Sequence, residues 1–178
     1  LRFYVGNKKN ALIVDFFSGS GTTLHAVNLL NAEDNGQRRC VMVTNNEVSE
    51  AEIKSLTKQG LHPGDEEWEN FGIARYITWP RTVCTIEGHD TNGVPLKGDY
   101  LGIDRPMANG FPANAAFFKL SFLDKTSVAL GRQFRELLPV LWMKGGAIGK
   151  CPAIHNDDLP NMLILPQNKM AVLVDEIY

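Results

Sequence analysis

The chain has 178 residues, of which 44% are hydrophobic and 21% are charged, and its formal net charge is −2. This length suits one domain and part of a second, and the composition is that of an ordinary globular protein. The slightly acidic balance argues against a basic, self-sufficient nucleic-acid-binding module, and no apolar run approaches the roughly 18 residues that a membrane-spanning helix needs.

The pattern of the N-terminal part is typical of a β-α-β unit. Residues 11–17 form an apolar run rich in branched side chains, which predicts a buried parallel strand. A turn with two glycines follows, and the apolar spacing of residues 22–30 predicts a helix that ends at residues 34–36. Residues 39–44 predict a second strand. A strand, a helix and a strand of this combined length predict two parallel strands joined by a crossover.

Shorter elements are predicted downstream. Residues 50–58 indicate a short helix with a polar face, residues 59–70 a loop, and residues 72–87 a helix interrupted at Pro80. The stretch 88–112 holds five glycines and three of the nine prolines. Such a long irregular connection is the best candidate for a boundary.

The C-terminal part mixes strands and a helix. Residues 117–122 predict a strand, and residues 126–144 predict an amphipathic helix that Pro139 should bend. Residues 162–165 and 171–174 predict two short strands joined by a turn.

Cys40, Cys84 and Cys151 lie far apart, and no two cysteines have the C-x-x-C spacing. An odd number of scattered cysteines indicates neither a disulfide framework nor a zinc site. Reduced thiols in a cytoplasmic protein are the simplest interpretation, so we expect a cytoplasmic location and no metal.

The turn between the first strand and the first long helix carries the clearest chemical signal. Gly19 and Gly21 allow a tight turn and a close approach of a ligand to the backbone. The helix that begins at Thr22 or Thr23 presents free N–H groups and a partial positive charge, which suit the carboxylate of an amino-acid ligand. The candidate binding residues are Asp15, Phe16, Phe17, Ser18, Gly19, Ser20, Gly21, Thr22 and Thr23, with Glu47 further along.

Glu47 follows the second predicted strand, where an acidic residue can accept hydrogen bonds from both ribose hydroxyls of an adenosine ligand. Two alternatives remain: Glu47 is a helix N-terminal charge before Ser49, and the glycine turn is an ordinary strand-to-helix turn without a ligand. An NAD-type oxidoreductase is disfavoured, because Leu24 or His25 stands where G-x-G-x-x-G needs its third glycine.

Three segments resemble one family. Residues 15–23 followed by His25-Ala26-Val27 resemble the S-adenosylmethionine (SAM) motif of amino-methylating DNA methyltransferases. Residues 43–47 resemble the acidic second motif of the same enzymes, especially the Mod subunits of type III restriction–modification systems. Residues 72–75 with Arg81 resemble the helix that follows in those subunits.

The resemblance covers about residues 8–88, and residues 113–145 resemble the family's C-terminal extension. It implies an α/β fold, with a partial Rossmann-like SAM-dependent methyltransferase sheet (β-α-β) and a C-terminal α+β extension. It also implies SAM as cofactor, DNA as substrate and methyl transfer to an exocyclic amino group, usually of adenine. Residues 1–88 are then the SAM-binding half of a methyltransferase domain, residues 89–112 an irregular connection, and residues 113–178 the extension.

Enzymes of this family also carry an Asp/Asn/Ser-Pro-Pro-aromatic motif that holds the flipped base. This chain has no Pro-Pro pair, and the nearest strings begin at Asp104 and Asp158. Because the β arrangement places the catalytic half first, the chain resembles the second half of a β-type enzyme, cut before its SAM motif at Leu1. We therefore predict no catalytic residue here, and expect an inactive fragment that binds SAM weakly and relies on the other half for DNA. We also expect it to self-associate, which would cover an exposed sheet edge and an apolar helix face.

A hypothesis from another class concerns the C-terminal half. On this interpretation residues 117–178 form a non-catalytic interaction module that docks a restriction subunit or a DNA-recognition element. The two hypotheses are compatible, because they concern different halves of the chain. Ligand binding distinguishes them, since only the first predicts binding of SAM.

Overall fold

The structure is a computed structural model that describes residues 1–120, 124–126, 134–154 and 159–174. The backbone divides into two compact units, Leu1–Phe117 and Phe118–Tyr178. The first unit contains a parallel pair of strands with helices, and the second contains a helix and an antiparallel pair of strands. The chain is therefore a mixed helix-and-sheet protein with a small parallel sheet, consistent with the predicted α/β class.

Helices and strands alternate at the start of the first unit. In chain order they are α1 (Arg2–Val5), β1 (Leu12–Asp15), α2 (Thr22–Asp34) and β2 (Arg39–Met42). The next elements are α3 (Glu50–Lys58), α4 (Glu66–Glu69), a π-helical turn (Ala74–Thr78), α5 (Trp79–Glu87) and a 3-10 turn (Met107–Asn109).

Strands β1 and β2 are parallel neighbours, with Leu12 opposite Arg39 and Asp15 opposite Met42. Helix α2 connects them in the chain, so the predicted β-α-β order with parallel strands is confirmed. In the described residues this sheet has two strands, and the Rossmann-like sheet stays an expectation.

One face of this sheet is open. The alternate side chains on that face are about half exposed, although the prediction had the first strand buried. They are Leu12, Val14, Val41 and Val43. The prediction of a fully buried strand is therefore wrong for this face, because branched side chains favour a strand whether or not a second layer covers it.

Arg38 ties the N-terminal segment to α2. Its buried guanidinium donates hydrogen bonds to the carbonyl oxygens of Val5 (3.0 Å) and Gly6 (2.8 Å) and to both carboxylate oxygens of Asp34 (2.8 and 2.9 Å). These bonds hold the short helix α1, which the sequence analysis did not predict, against the C-terminal end of α2.

Helix α3 has the predicted bounds. Its N-terminus is capped by Ser49, whose hydroxyl oxygen accepts from the Glu52 amide at 3.4 Å. The predicted loop of residues 59–70 is wrong in part, because it contains α4. That single acidic turn buries Trp68 against Val48 and Leu56, a long-range contact without a local sequence signal.

The predicted helix of residues 72–87 is present as a π-helical turn that continues directly into α5. Pro80 does not interrupt it. The proline lies in the first turn of α5, where its missing N–H and fixed φ are tolerated.

Residues 89–112 fold back as part of the first unit. Isolated bridges join His89 to Pro95 and Asp99 to Pro106, and Phe111 is buried. The contact-based boundary lies after Phe117, and the division into residues 1–88, 89–112 and 113–178 stays a prediction.

The second unit contains α6 (Phe134–Lys144), β3 (Met162–Leu165) and β4 (Met170–Leu173). The two strands pair antiparallel, so the predicted hairpin is confirmed. Helix α6 confirms the C-terminal part of the predicted helix, with Pro139 inside it, while residues 127–133 lie outside the described residues. The strand predicted at residues 117–122 is wrong for residues 117–120, which have no regular structure, and residues 121–122 are not described.

Further findings concern membrane spans, metal sites and thiols. In the described ranges, no helix is long and apolar enough to cross a membrane, and no cluster of three or more histidine, cysteine or acidic side chains could hold a metal. Cys40, Cys84 and Cys151 are free thiols. Burial, with a smaller effect of the Asp15 charge, raises the pKa of Cys40 to about 11, which makes this thiol a poor nucleophile.

Candidate functional site

The turn between β1 and α2 is built on two left-handed glycines. Gly19 has φ of 48° and Gly21 has φ of 82°, a region that other residues adopt only with strain. A Cβ on Gly21 would lie 3.1 Å from Thr78 Cγ2, whereas a Cβ on Gly19 would meet nothing closer than the Phe17 carbonyl oxygen at 4.0 Å. Gly21 therefore packs against the protein, and Gly19 faces open space from which a ligand can approach.

Asp15 braces this turn from inside. Its Oδ1 accepts from the Phe17 amide at 3.0 Å, and its Oδ2 accepts from the Thr23 hydroxyl at 2.5 Å. The predicted binding residue Asp15 therefore has both oxygens engaged within the turn. These two hydrogen bonds fix the shape of the turn.

The N-terminus of α2 is open. Its N-cap is Gly21, and no side chain caps it, in contrast to the capped N-terminus of α3. The amides of Thr22, Thr23 and Leu24 lie in the first turn and have no partner within the helix. Together with the helix dipole, these amides favour an anionic group at this position.

Ser18 adds a polar group beside the open helix end. Its side chain is 8% exposed, and its Oγ has no hydrogen-bond partner among the described residues. An unpaired buried hydroxyl costs roughly 1–3 kcal/mol, so a polar ligand atom that bonded to it would stabilise the turn. Phe16 and Phe17 stand outward from the same turn, and Phe17 is 94% exposed.

Two residues of the following helices contact the turn. The Thr78 hydroxyl donates to the Gly19 carbonyl oxygen at 2.5 Å, and Arg81 Nη1 donates to Ser20 Oγ at 3.1 Å. No sequence motif singles out Thr78, and Arg81 is indicated only by the family resemblance. Their spacing predicts a common helix face, but no local pattern tells which part of the protein that face contacts.

Glu47 lies five residues beyond the end of β2 and is exposed. Its carboxylate makes no hydrogen bond or ion pair with the described part of the chain, while its carbonyl oxygen accepts from the Ile73 amide at 2.9 Å. The first turn of α3 has its own acidic residues, Glu50 and Glu52, which weakens the interpretation of Glu47 as a helix-terminal charge. The carboxylate remains available to a ligand.

The strand ends bring two groups of predicted site residues to one edge, because β1 and β2 are parallel. The amide of Ser18 donates to the Val43 carbonyl oxygen at 3.2 Å, which joins the glycine turn to the chain after β2. Among the described residues, no hydrogen bond or ion pair joins Glu47 to the glycine turn. Both are instead attached to the segment that begins at Ile73.

His25 lies on the inner side of α2. Its ring packs edge-on against Tyr100 (5.2 Å between centroids) and Phe111 (6.0 Å). Burial and the nearby Arg81 charge lower the pKa of His25. A neutral, packed imidazole has a structural role here, connecting α2 to residues 100–111.

Short stretches of the chain match known restriction–modification and methyltransferase proteins. The chain is 48% identical over 44 residues to the Mod subunit of the type III restriction-modification enzyme EcoPI of Escherichia phage P1, covering 25% of this chain and 7% of that protein. It is 56% identical over 36 residues to the StyLTI Mod subunit of Salmonella typhimurium, covering 20% and 6%. It is 51% identical over 39 residues to the type II methyltransferase M.KpnI of Klebsiella pneumoniae, covering 22% and 9%.

No protein-family profile and no solved structure matches the chain. Each matched stretch is less than a tenth of the length of the relative. The predicted resemblance is confirmed at this level: over a fifth to a quarter of its length, this chain is similar to type III Mod subunits and to a type II methyltransferase.

Proposed function

We propose that this chain is the SAM-binding part of an amino-methylating DNA methyltransferase of a restriction–modification system. The observation that carries the proposal is the open N-terminus of α2, which adjoins two left-handed glycines and the buried, unpaired Ser18 hydroxyl. Local similarity to Mod subunits supports the same conclusion.

The residues of the turn fit the amino-acid end of SAM. The first amides of α2 suit its carboxylate, and the Ser18 hydroxyl is a further polar contact. The Glu47 carboxylate, which has no partner among the described residues, suits the two ribose hydroxyls. Phe16 and Phe17 add exposed apolar surface beside the turn. When bound, SAM supplies the methyl group that is transferred.

The proposed methyl acceptor is an exocyclic amino group of DNA, with adenine as the expected base. We assign no catalytic residue to this chain, because it contains no Pro-Pro-aromatic motif. DNA contacts and base flipping are accordingly proposed to need a further protein segment that carries this motif. The chain by itself is proposed to be inactive.

Isothermal titration calorimetry with SAM and with NAD tests the proposal. We expect binding of SAM weaker than micromolar, because a partly enclosed ligand loses preorganised contacts, and no binding of NAD. Glu47→Gln, which removes the ribose acceptor charge, should weaken SAM binding, and Glu50→Gln is its matched control. Absence of SAM binding even at millimolar ligand, or binding of NAD instead, would contradict the proposal.

The open sheet face supports a proposed self-association of the isolated chain. Four apolar side chains of this face are half exposed, and contiguous apolar surface of this kind favours association. Light scattering over a concentration series should report a mass above 19.8 kDa that falls on dilution. A monomer at all concentrations would contradict it.

A second candidate function concerns Phe118–Tyr178. This region forms a compact unit of its own, which supports a docking role toward a restriction subunit or a DNA-recognition element. Deletion of this unit should leave SAM binding unchanged and abolish association with such a partner.

A further inference from the structure

One segment contacts both parts of the proposed ligand site. We call Ile73–Arg81 the bridge segment. At its start, the Ile73 amide donates to the Glu47 carbonyl oxygen at 2.9 Å, and the Asn46 side-chain oxygen accepts from the Ala74 amide at 3.1 Å. These bonds fix the bridge segment to the chain that leaves β2.

The other end of the bridge segment is fixed to the glycine turn, which follows β1. The Thr78 hydroxyl has one hydrogen, and two carbonyl oxygens lie within its reach: that of Gly19 at 2.5 Å and that of Ile73 at 3.1 Å. The shorter distance makes Gly19 its main acceptor. Arg81 adds a contact to Ser20 Oγ at 3.1 Å.

The π-helical turn explains how one segment contacts both places. Such a turn inserts one residue, which rotates every later side chain by about 100° around the helix axis. Thr78 is the last residue of this turn and Arg81 follows it in α5, three residues later, so the two side chains share the face that meets the glycine turn. The missing Cβ of Gly21 allows this close packing, because Thr78 Cγ2 lies only 3.1 Å from the position that the Cβ would take.

We propose that Thr78 is a positioning residue for the glycine turn, and that the bridge segment sets the spacing between this turn and Glu47. Thr78 holds the Gly19 peptide, and the open amides of α2 then point in one direction before any ligand arrives. The identity of the ligand rests on the proposed function, whereas the control of the turn by Thr78 does not.

The chain offers a matched control in Thr82. Thr78 and Thr82 are both 6% exposed, but the Thr82 hydroxyl donates to the Thr78 carbonyl oxygen within its own helix, at 2.8 Å. Thr78→Val and Thr82→Val therefore remove the same buried group, and only the first removes a bond to the turn. Thr78→Ser restores that hydroxyl.

The first measurement is amide hydrogen exchange in the ligand-free chain. The Ser18 amide donates to the Val43 carbonyl oxygen and the Gly21 amide donates to the Ser18 carbonyl oxygen, so the exchange of these two amides reports the order of the turn. Thr78→Val should speed their exchange about tenfold relative to Thr82→Val, the change that loss of one hydrogen bond brings, and Thr78→Ser should restore the slow rate. Equal exchange in the two valine variants would overturn the proposal.

The second measurement compares two ligands by calorimetry. Thr78→Val should lower the affinity for SAM about tenfold. It should leave unchanged the affinity for 5′-methylthioadenosine, which lacks the amino-acid end. Equal losses for both ligands would overturn the positioning role. If the wild-type chain binds neither ligand, the proposed function fails, and the exchange measurement alone decides the role of Thr78.

Discussion

Asp15 and Thr23 close the glycine turn on itself: the Thr23 hydroxyl donates to Asp15 Oδ2 at 2.5 Å, across eight residues of chain. The other oxygen of the same carboxylate accepts from the Phe17 amide. The last residue of β1 thus holds the first turn of α2, and the turn between them is preorganised without a ligand.

Asp15→Ala should destabilise the chain and weaken SAM binding together. The substitution removes two hydrogen bonds to a charged acceptor. Because Asp15 is only half buried, we expect the free energy of unfolding to fall by about 1–2 kcal/mol, which is less than the sum for two such bonds. Urea denaturation measures the loss. Asp15→Asn is the graded control, because its amide oxygen can still accept from Phe17. An Asp15→Ala chain as stable as wild type would show that the turn does not depend on this brace.

Gly21→Ala should lower the free energy of unfolding by more than the backbone strain of an alanine in the left-handed region. The new Cβ takes a φ of 82° and lies 3.1 Å from Thr78 Cγ2. Gly60→Ala is the matched control, since Gly60 has φ of 79° and an added Cβ would meet nothing within 4 Å. We expect the free energy of unfolding to fall by about 1–2 kcal/mol for Gly60→Ala and by about 1 kcal/mol more for Gly21→Ala, as measured by urea denaturation. Equal losses would mean that Thr78 moves aside freely.

The elements that the sequence predicted well are those with local signals. Helix α3 has a capping serine, polar periodicity and a terminal lysine, and it was predicted with its observed bounds. The β-α-β order followed from apolar runs and the glycine turn. Trp68 in α4 gave no such signal, because a four-residue helix depends on long-range burial against Val48 and Leu56.

The candidate site was predictable to the same extent. The turn residues could be selected because left-handed turn positions favour glycine and because the helix that follows leaves its first amides without partners in the helix. The role of Asp15 within the turn could not be predicted from the sequence, since an aspartate at this position could equally contact a ligand. Thr78 was not predictable at all, because its partner Gly19 lies 59 residues earlier and only the packed structure brings the two together.

Glu47→Gln should reduce SAM affinity without reducing stability. The carboxylate has no partner among the described residues, so its loss removes nothing from the fold. Hydrogen bonds to a charged acceptor contribute roughly 1.5–3 kcal/mol, which corresponds to about tenfold to a hundredfold in affinity, and Glu47→Ala should abolish binding. Calorimetry and urea denaturation measure the two effects, with Glu50→Gln as the control. A loss of stability instead would assign Glu47 a structural role.

The stability of the chain should fall in two separate acid steps. Burial and the Arg81 charge lower the pKa of His25 from 6.5 in the folded chain. Below pH 6.5 the unfolded chain therefore binds more protons than the folded chain, so stability falls as the pH falls from 6.5 toward the lower folded pKa. The Arg38 hydrogen bond lowers the pKa of Asp34 from 3.8, so its contribution is present above pH 3.8 and is lost as pH falls toward the folded value. Melting temperatures across pH 3–8 should therefore show that His25→Gln removes only the upper step. Persistence of that step in the variant would exclude His25 as its source.

The purified chain should not methylate DNA. It holds the proposed SAM contacts, but it contains no Pro-Pro-aromatic motif to bind the flipped base, and its net charge of −2 gives little attraction for phosphates. Incubation with labelled SAM and DNA should therefore give no incorporation above a buffer control. A chain that carries Glu47→Gln is the control for trace contamination, because a contaminating methyltransferase would be unaffected by this substitution. Incorporation that depends on Glu47 would prove the chain catalytically complete, and would require that residues other than a Pro-Pro-aromatic motif hold the base.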